Sequence, residues 1–345
     1  MTLLSAFISG CAGEVLTDEE WRFFQDHRPA GLILFQRNIT SPQQVKALIA
    51  KFRDAVGRDD ILVLVDQEGG RVQRLKPPQW RQLPAGAAFG LRYAADPDAG
   101  VAAAKAVSQL AARDLAELGF TVNCVPVLDM PVAGAHPVIG DRAYGEDVER
   151  VAALGRAVCE GTMAGGLLPV IKHIPGHGRA TQDSHLALPV VEEGLEVLKR
   201  TDLAPFRALS DMPIGMTGHV LVTAVDPSEP ASTSRPVVQE IIRGEIGFDG
   251  LLLCDDLSMK ALRGSTASKA ERAIAAGCDL VLHCNGNMEE MRDVARSVPE
   301  LEGEAERRYL KALARRKAAA AFDATAALSA LDEIAALSGT LTASA

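Results

Sequence analysis

The chain has 345 residues, 48% of them hydrophobic and 23% charged, the proportions of a soluble globular protein with a sizeable core. A net charge of −9, with no cluster of Lys and Arg interleaved with aromatics, argues against a nucleic-acid binder, although an acidic protein can hold a local basic pocket. No stretch approaches the ~20 apolar residues that span a bilayer, so no membrane insertion is expected.

In chain order, short β-branched or Leu-rich runs recur, each followed by a helical stretch. AFISG (6–10) comes first. The residues around it lack a basic flank and its apolar run is short, so it reads as a strand rather than a signal peptide, and a cytoplasmic protein is expected. GLILF (31–35) follows, then SPQQVKALIAKFRDAV, where Ser41 fits an N-cap and Pro42 the first helical position. ILVLVDQ (61–67) and FTVNCVPVLDM (120–130) flank GVAAAKAVSQLAARDLAELG, a helix that Gly119 should stop. LLPVIKH (167–173), PIGMTGH (213–219), GLLLCDD (250–256) and DLVLHCN (279–285) complete the set, with ASKAERAIAAGC a helix that stops at Gly277.

Most of these runs are continuously apolar, as parallel strands covered on both faces require. Eight strand–helix repeats predict an α/β fold, a (β/α)8 TIM-type barrel, which as one unit takes ~250 residues or more. The barrel should occupy residues 1–290. Residues 291–345, polar and then Ala-rich, should form helices packed on the barrel within the same domain, followed by a short tail. The six cysteines show no framework spacing, so buried thiols are expected rather than disulfides, and CDLVLHC is too widely spaced for a zinc knuckle.

In such a barrel the active site lies at the C-terminal ends of the strands. There the sequence places Asp66, Asp129, Lys172 with His173, His219, Asp255 with Asp256, and Asn285. One polar strand end is commonly a cap; polar groups ending six of eight strands point to a pocket. In VDQEGGRVQRL (65–75), Gly69 and Gly70 permit a tight turn flanked by Asp66, Glu68, Arg71 and Arg74, with Glu68 and Arg71 readable as surface charges. In PVIGDRAYGED (137–147), Arg142 either enters the pocket or pairs with Asp141 or Asp147. In GLLLCDDLSMKAL (250–262), strand alternation sends Asp255 and Asp256 opposite ways, so that one can face the pocket while the other caps the helix that follows.

The densest segment is KHIPGHGRATQDSHLALP (172–189). A metal reading would use His173, His177 and His185. Pro175, Gly176 and Gly178 break the helix that an i, i+4 pair needs, and H-E-x-x-H is absent, so neither metal nor other cofactor is expected. An acid–base reading rests on Asp183-Ser184-His185, since a carboxylate bonded to one imidazole nitrogen fixes the tautomer and raises the basicity of the other. Combined with Asp255, it suggests a nucleophile and an acid/base. Gly176 and Gly178 would leave this loop free to swing.

VDQEGGRVQR, GDRAYG, KHIPGHG, DSH and CDDLSM together resemble the family 3 glycoside hydrolases, and within them the single-domain bacterial β-N-acetylglucosaminidases of peptidoglycan recycling. The likeness runs from GLILFQRN to GCDLVLHCN. It implies a retaining double displacement with Asp255 as nucleophile, His185 as acid/base and Asp183 as its partner, a departure from the commoner pair of carboxylates. It also implies sugar binding by Asp66, Arg74, Arg142, Lys172 and His173, with His219 a further pocket candidate. His177 is read as holding the loop rather than touching sugar.

The implied substrate is terminal β-linked GlcNAc on a muropeptide fragment, such as GlcNAc-1,6-anhydro-MurNAc with or without peptide. The setting would be cell-wall turnover, with its links to cell shape and division, and the protein a monomer. Phosphorolysis of the same substrates, a broad chito-oligosaccharide exo-hexosaminidase, and a catalytically inactive sugar-binding protein are the alternatives. The intact Asp255, Asp183 and His185 argue against the last.

Overall fold

The strands that the apolar runs predict are β1 (Ser5–Ser9), β2 (Pro29–Leu34), β3 (Leu62–Val65), β4 (Val122–Asn123), β5 (Leu168–Ile174), β6 (Ile214–Thr217), β7 (Leu251–Asp256) and β8 (Leu280–His283). The structure, a computed structural model, describes residues 3–180, 182–184 and 186–342. All eight strands are parallel, each pairs with its neighbour in sequence, and β8 returns to β1 with Phe7 opposite Val281 and Ser9 opposite His283. This is a closed (β/α)8 barrel. Both faces of β2 and β3 are buried, which is why these strands read as unbroken apolar runs.

The run at 120–130 is less regular than its composition suggests. Only Val122 and Asn123 form a strand, because Pro126 has no N–H to donate to a ladder. The pairing with β5 nevertheless continues: the Val125 and Pro126 carbonyls accept from Val170 and Lys172, and Val127 bridges to Lys172. Asp129 is thereby held at the mouth although its strand has ended.

Local signals set the helix ends. Ser41 accepts from the Gln44 N–H and Pro42 opens Pro42–Val56. The helix that leads into β4 begins earlier than expected, at Pro97, with Asp96 as its cap; it ends at Ala116, and Gly119 lies three residues beyond in a left-handed turn. Gly277, with φ +114°, caps Thr266–Ala276.

The chain after β8 closes the other end of the barrel. Leu301 N–H donates to the Leu4 carbonyl, Tyr309 hydroxyl to the Ala30 carbonyl, and Arg316 Nε to the Gly166 carbonyl, all beside strand starts. Arg308 bonds Asp249 and Asp279, which stand just before β7 and β8. The last helix, Ala324–Thr342, packs on Gly86–Ala95 and Pro97–Ala116, burying Ala327, Leu331 and Ile334. All six cysteines are buried free thiols. Among the described residues no helix is long and apolar enough to cross a membrane.

Candidate active site

A cavity of about 270 Å³ opens at the C-terminal ends of the strands, just below the roughly 300–1,000 Å³ usual for ligand pockets. Asp66, Arg74, Arg142, Lys172, His173, Asp183 and Asp255 all line it, so seven of the expected residues meet in one place.

One wall is a chain of alternating charges. β3 runs into Asp66; Gln67–Gly69 then turns back antiparallel on Val72–Gln73 and returns Arg74 to Asp66, at 3.1 Å. Lys172 Nζ, from the end of β5, lies 2.8 Å from Asp66 and 2.7 Å from Glu68. Arg142 grips Glu68 through Nε and Nη2, both at 2.8 Å, the bidentate geometry that makes Arg–carboxylate pairs strong. Burial alone would raise both carboxyl pKa values. Lys172 and Arg74 instead hold Asp66 well below the usual carboxylate range, and Arg142 with Lys172 brings Glu68 down to about 2. Burial likewise opposes charge on Lys172 and Arg142, but the two carboxylates outweigh it and push both pKa values up.

Glu68 is therefore a buried hub rather than a surface charge. The signal was present: Asp66 and Glu68 are two residues apart in extended chain and so share a face. Arg142 takes neither of the nearby aspartates. Asp141 binds Arg71 at the exposed rim, where Arg71 is the surface charge expected, and Asp147 caps Val148–Ala164.

His173 is positioned from behind by Asp129, a residue the strand-end pattern found but gave no task. The fully buried Asp129 carboxylate lies 2.6 Å from His173 Nδ1 and accepts from the N–H groups of His173 and His177. Burial works against the anion, yet His173 keeps the Asp129 pKa low. With Nδ1–H held there, Nε2 is left to face the cavity.

The loop after β5 is pinned rather than free at its start. Gly178 packs so closely on the Met130 carbonyl that a Cβ would collide with it, and Arg179 binds Asp202 at 2.7 Å. Gly178 thus serves close packing, whereas Gly176, beside the Asp202 side chain, adopts a φ of +132° that favours glycine. Farther on, the Ser184 carbonyl accepts from Ala261 N–H and its hydroxyl reaches Met259 Sδ. That docks the loop onto the turn after β7 and brings Asp183 to the side of the cavity holding Asp255. His185 lies outside the described residues.

Asp255 and Asp256 divide as alternation suggests, with one difference. Asp255 lines the cavity, makes no ion pair among the described residues, and accepts only the Asp256 N–H at 2.8 Å. Asp256, also at the cavity edge, accepts from Ser258 N–H and hydroxyl and from Cys284 N–H. It caps the turn after β7, not a helix; Thr266–Ala276 starts ten residues on with its own cap, Ser265.

His219 departs from expectation. It does not line the cavity: its ring is wholly buried between the Ser232 hydroxyl (2.7 Å) and the Asp256 carbonyl (3.0 Å), with its pKa lowered by burial. It props the backbone behind the carboxylates instead of reaching a ligand. Among the described residues no group of three His, Cys, Asp or Glu side chains is placed to hold a metal.

The N-terminal domain of glycosyl hydrolase family 3 matches residues 12–316 of this chain. The β-hexosaminidase of Pseudomonas aeruginosa is 42% identical over 276 residues, covering 79% of this chain and 80% of its own. That of Alkalilimnicola ehrlichii is 39% identical over 302 residues, covering 86% and 85%. Among solved structures, NagZ from Neisseria gonorrhoeae in complex with N-trifluoroacetyl-D-glucosamine superimposes with a TM-score of 0.84 at 31% identity, covering 98% of each chain.

Proposed function

The chain belongs to glycosyl hydrolase family 3 and is a glycoside hydrolase acting as a β-N-acetylhexosaminidase; from that premise we propose a retaining exo-enzyme that removes terminal β-linked GlcNAc from muropeptide fragments. Its substrate is GlcNAc-1,6-anhydro-MurNAc, with or without peptide, and it works in the cytoplasm during peptidoglycan recycling. The supporting observation is the cavity itself: an Asp255 carboxylate with no ion pair among the described residues faces it together with Asp183, beside a wall of fixed donors and acceptors suited to ring hydroxyls.

In the first step the Asp255 carboxylate attacks the anomeric carbon. The glycosidic C–O bond breaks, and His185, oriented by Asp183, gives its proton to the leaving oxygen. In the second step water attacks the same carbon, His185 takes its proton, and the Asp255–sugar bond breaks. An imidazole acid/base spares the site a second anion beside the nucleophile. Asp66, Arg74, Arg142, Lys172 and His173 hold the sugar. Lys172, Arg74 and Arg142 are all committed to carboxylates, which favours water over a phosphate anion as the second nucleophile.

Asp255→Ala should cut turnover of an aryl β-GlcNAc by on the order of 10³-fold or more, while His185→Ala should accumulate a GlcNAc adduct on Asp255 detectable by intact mass. Wild-type-like turnover by Asp255→Ala would sink the assignment. Release of GlcNAc-1-phosphate instead of GlcNAc in phosphate buffer would replace hydrolysis by phosphorolysis.

A further inference from the structure

The sugar-gripping wall leaves one histidine of the cavity without a role. His177 is 4% exposed and lines the cavity, yet among the described residues neither Nδ1 nor Nε2 has a hydrogen-bond partner. Its bond to Asp129 runs through the backbone N–H, not the ring. The ring meets His173 edge-on, with centroids 6.1 Å apart. Its place is fixed by the chain on both sides, through the Asp129 bond and the packing of Gly178 on Met130. If the residue only held the loop, its backbone would suffice and an apolar ring would fill the space without two unmet polar atoms.

Burial lowers the His177 pKa, which Asp129 and Asp255 only partly oppose, so the ring is neutral near pH 7. A neutral imidazole offers one donor and one acceptor. A carboxylate can meet only the N–H and an ammonium ion only the bare nitrogen; a hydroxyl can meet either, accepting from the one or donating to the other.

We propose that His177 is a further sugar-contacting residue, its imidazole hydrogen-bonding a ring hydroxyl of the GlcNAc held in the cavity. The inference rests on the activity proposed above and adds a residue to it. It places His177 beside His173 as the second of two imidazoles reading the same sugar, with Asp129 setting the place of both.

The test pairs enzyme variants with substrates lacking one hydroxyl. His177→Phe keeps a ring in place and removes both nitrogens. It should lower kcat/KM on aryl β-GlcNAc by about 10-fold or more, chiefly through KM, without lowering the melting temperature. The 3-, 4- and 6-deoxy aryl β-GlcNAc substrates should then identify the partner: for one of them the wild type loses activity and His177→Phe loses nothing further. His177→Gln, which retains a donor and an acceptor, should recover part of that discrimination and serves if the Phe variant fails to fold.

Activity of His177→Phe within twofold of wild type overturns the proposal. So do losses that multiply for all three deoxy substrates, since His177 would then act on stability or packing alone. Failure of the wild type to cleave aryl β-GlcNAc would instead overturn the activity. Equilibrium binding of GlcNAc to wild type and His177→Phe would then test the contact by itself, equal affinity overturning it.

Discussion

Glu68 joins the Lys172 and Arg142 side chains; without it Arg142 loses its carboxylate and Lys172 one of its two. With all three nearly buried, Glu68→Ala leaves two cations short of a partner, which should cost about 3–5 kcal/mol of stability. A lower melting temperature and a raised KM on aryl β-GlcNAc would register it; an unchanged KM would show that the two cations do not hold sugar. The Glu68 pKa of about 2 against an ordinary 4.5 gives the pH dependence. The folded state holds this proton more weakly than the unfolded chain, so its contribution is complete above pH 4.5 and fades as pH falls toward 2. Any activity loss between pH 5 and 8 should therefore arise outside this network. At this scale the cavity-lining Asp66, Lys172, His173 and Asp255 were legible, because they lie at strand ends. Their supports were not: Glu68 and Arg142 are 74 positions apart, and no local pattern announces such a pairing. His219 shows the converse, a strand-end residue whose partners, Ser232 and the Asp256 backbone, turn it away from the mouth.

The turn Pro175–Ala180 shows how an element can mislead. Two glycines around a histidine suggest a hinge, yet here Gly178 permits a close contact while Gly176 supplies a positive φ. Gly178→Ala should push the turn off the Met130 carbonyl, disturbing Asp129 and, through it, His173 and His177. We expect kcat/KM to drop at least ~10-fold, the worth of about 1.4 kcal/mol, with the far-ultraviolet circular dichroism unchanged. A fully active Gly178→Ala would show that the turn yields and that the glycine is there for freedom after all. The strands were legible for a physical reason: burial on both faces demands continuous apolar runs. The one that strayed, at 120–130, contains Pro126, and a proline-bearing run is demoted as a strand even when its composition is right.

Taken whole, the molecule separates its two ends. The mouth gathers the cavity, while the opposite end is closed by the chain running from β8 into Gly303–Arg315. Tyr309→Phe removes the bond to the Ala30 carbonyl without altering the packed ring, and should cost about 0.5–1.5 kcal/mol. Thermal unfolding should report that loss while KM and kcat stay at wild-type values, since the barrel stands between the two. A changed KM would mean that the floor and the mouth are mechanically linked. Closure by eight repeats was readable from their number, but the path of the chain across the floor depends on contacts far apart in sequence, such as Arg308 with Asp249 and Asp279. The six buried cysteines acquire a practical meaning from this closed architecture. Burial lifts every one of their thiols above its ordinary value, so a folded molecule is nearly silent toward alkylating dyes. A fluorophore attached through a single cysteine introduced at exposed Leu186, next to the proposed acid/base His185, would then watch that loop alone during turnover.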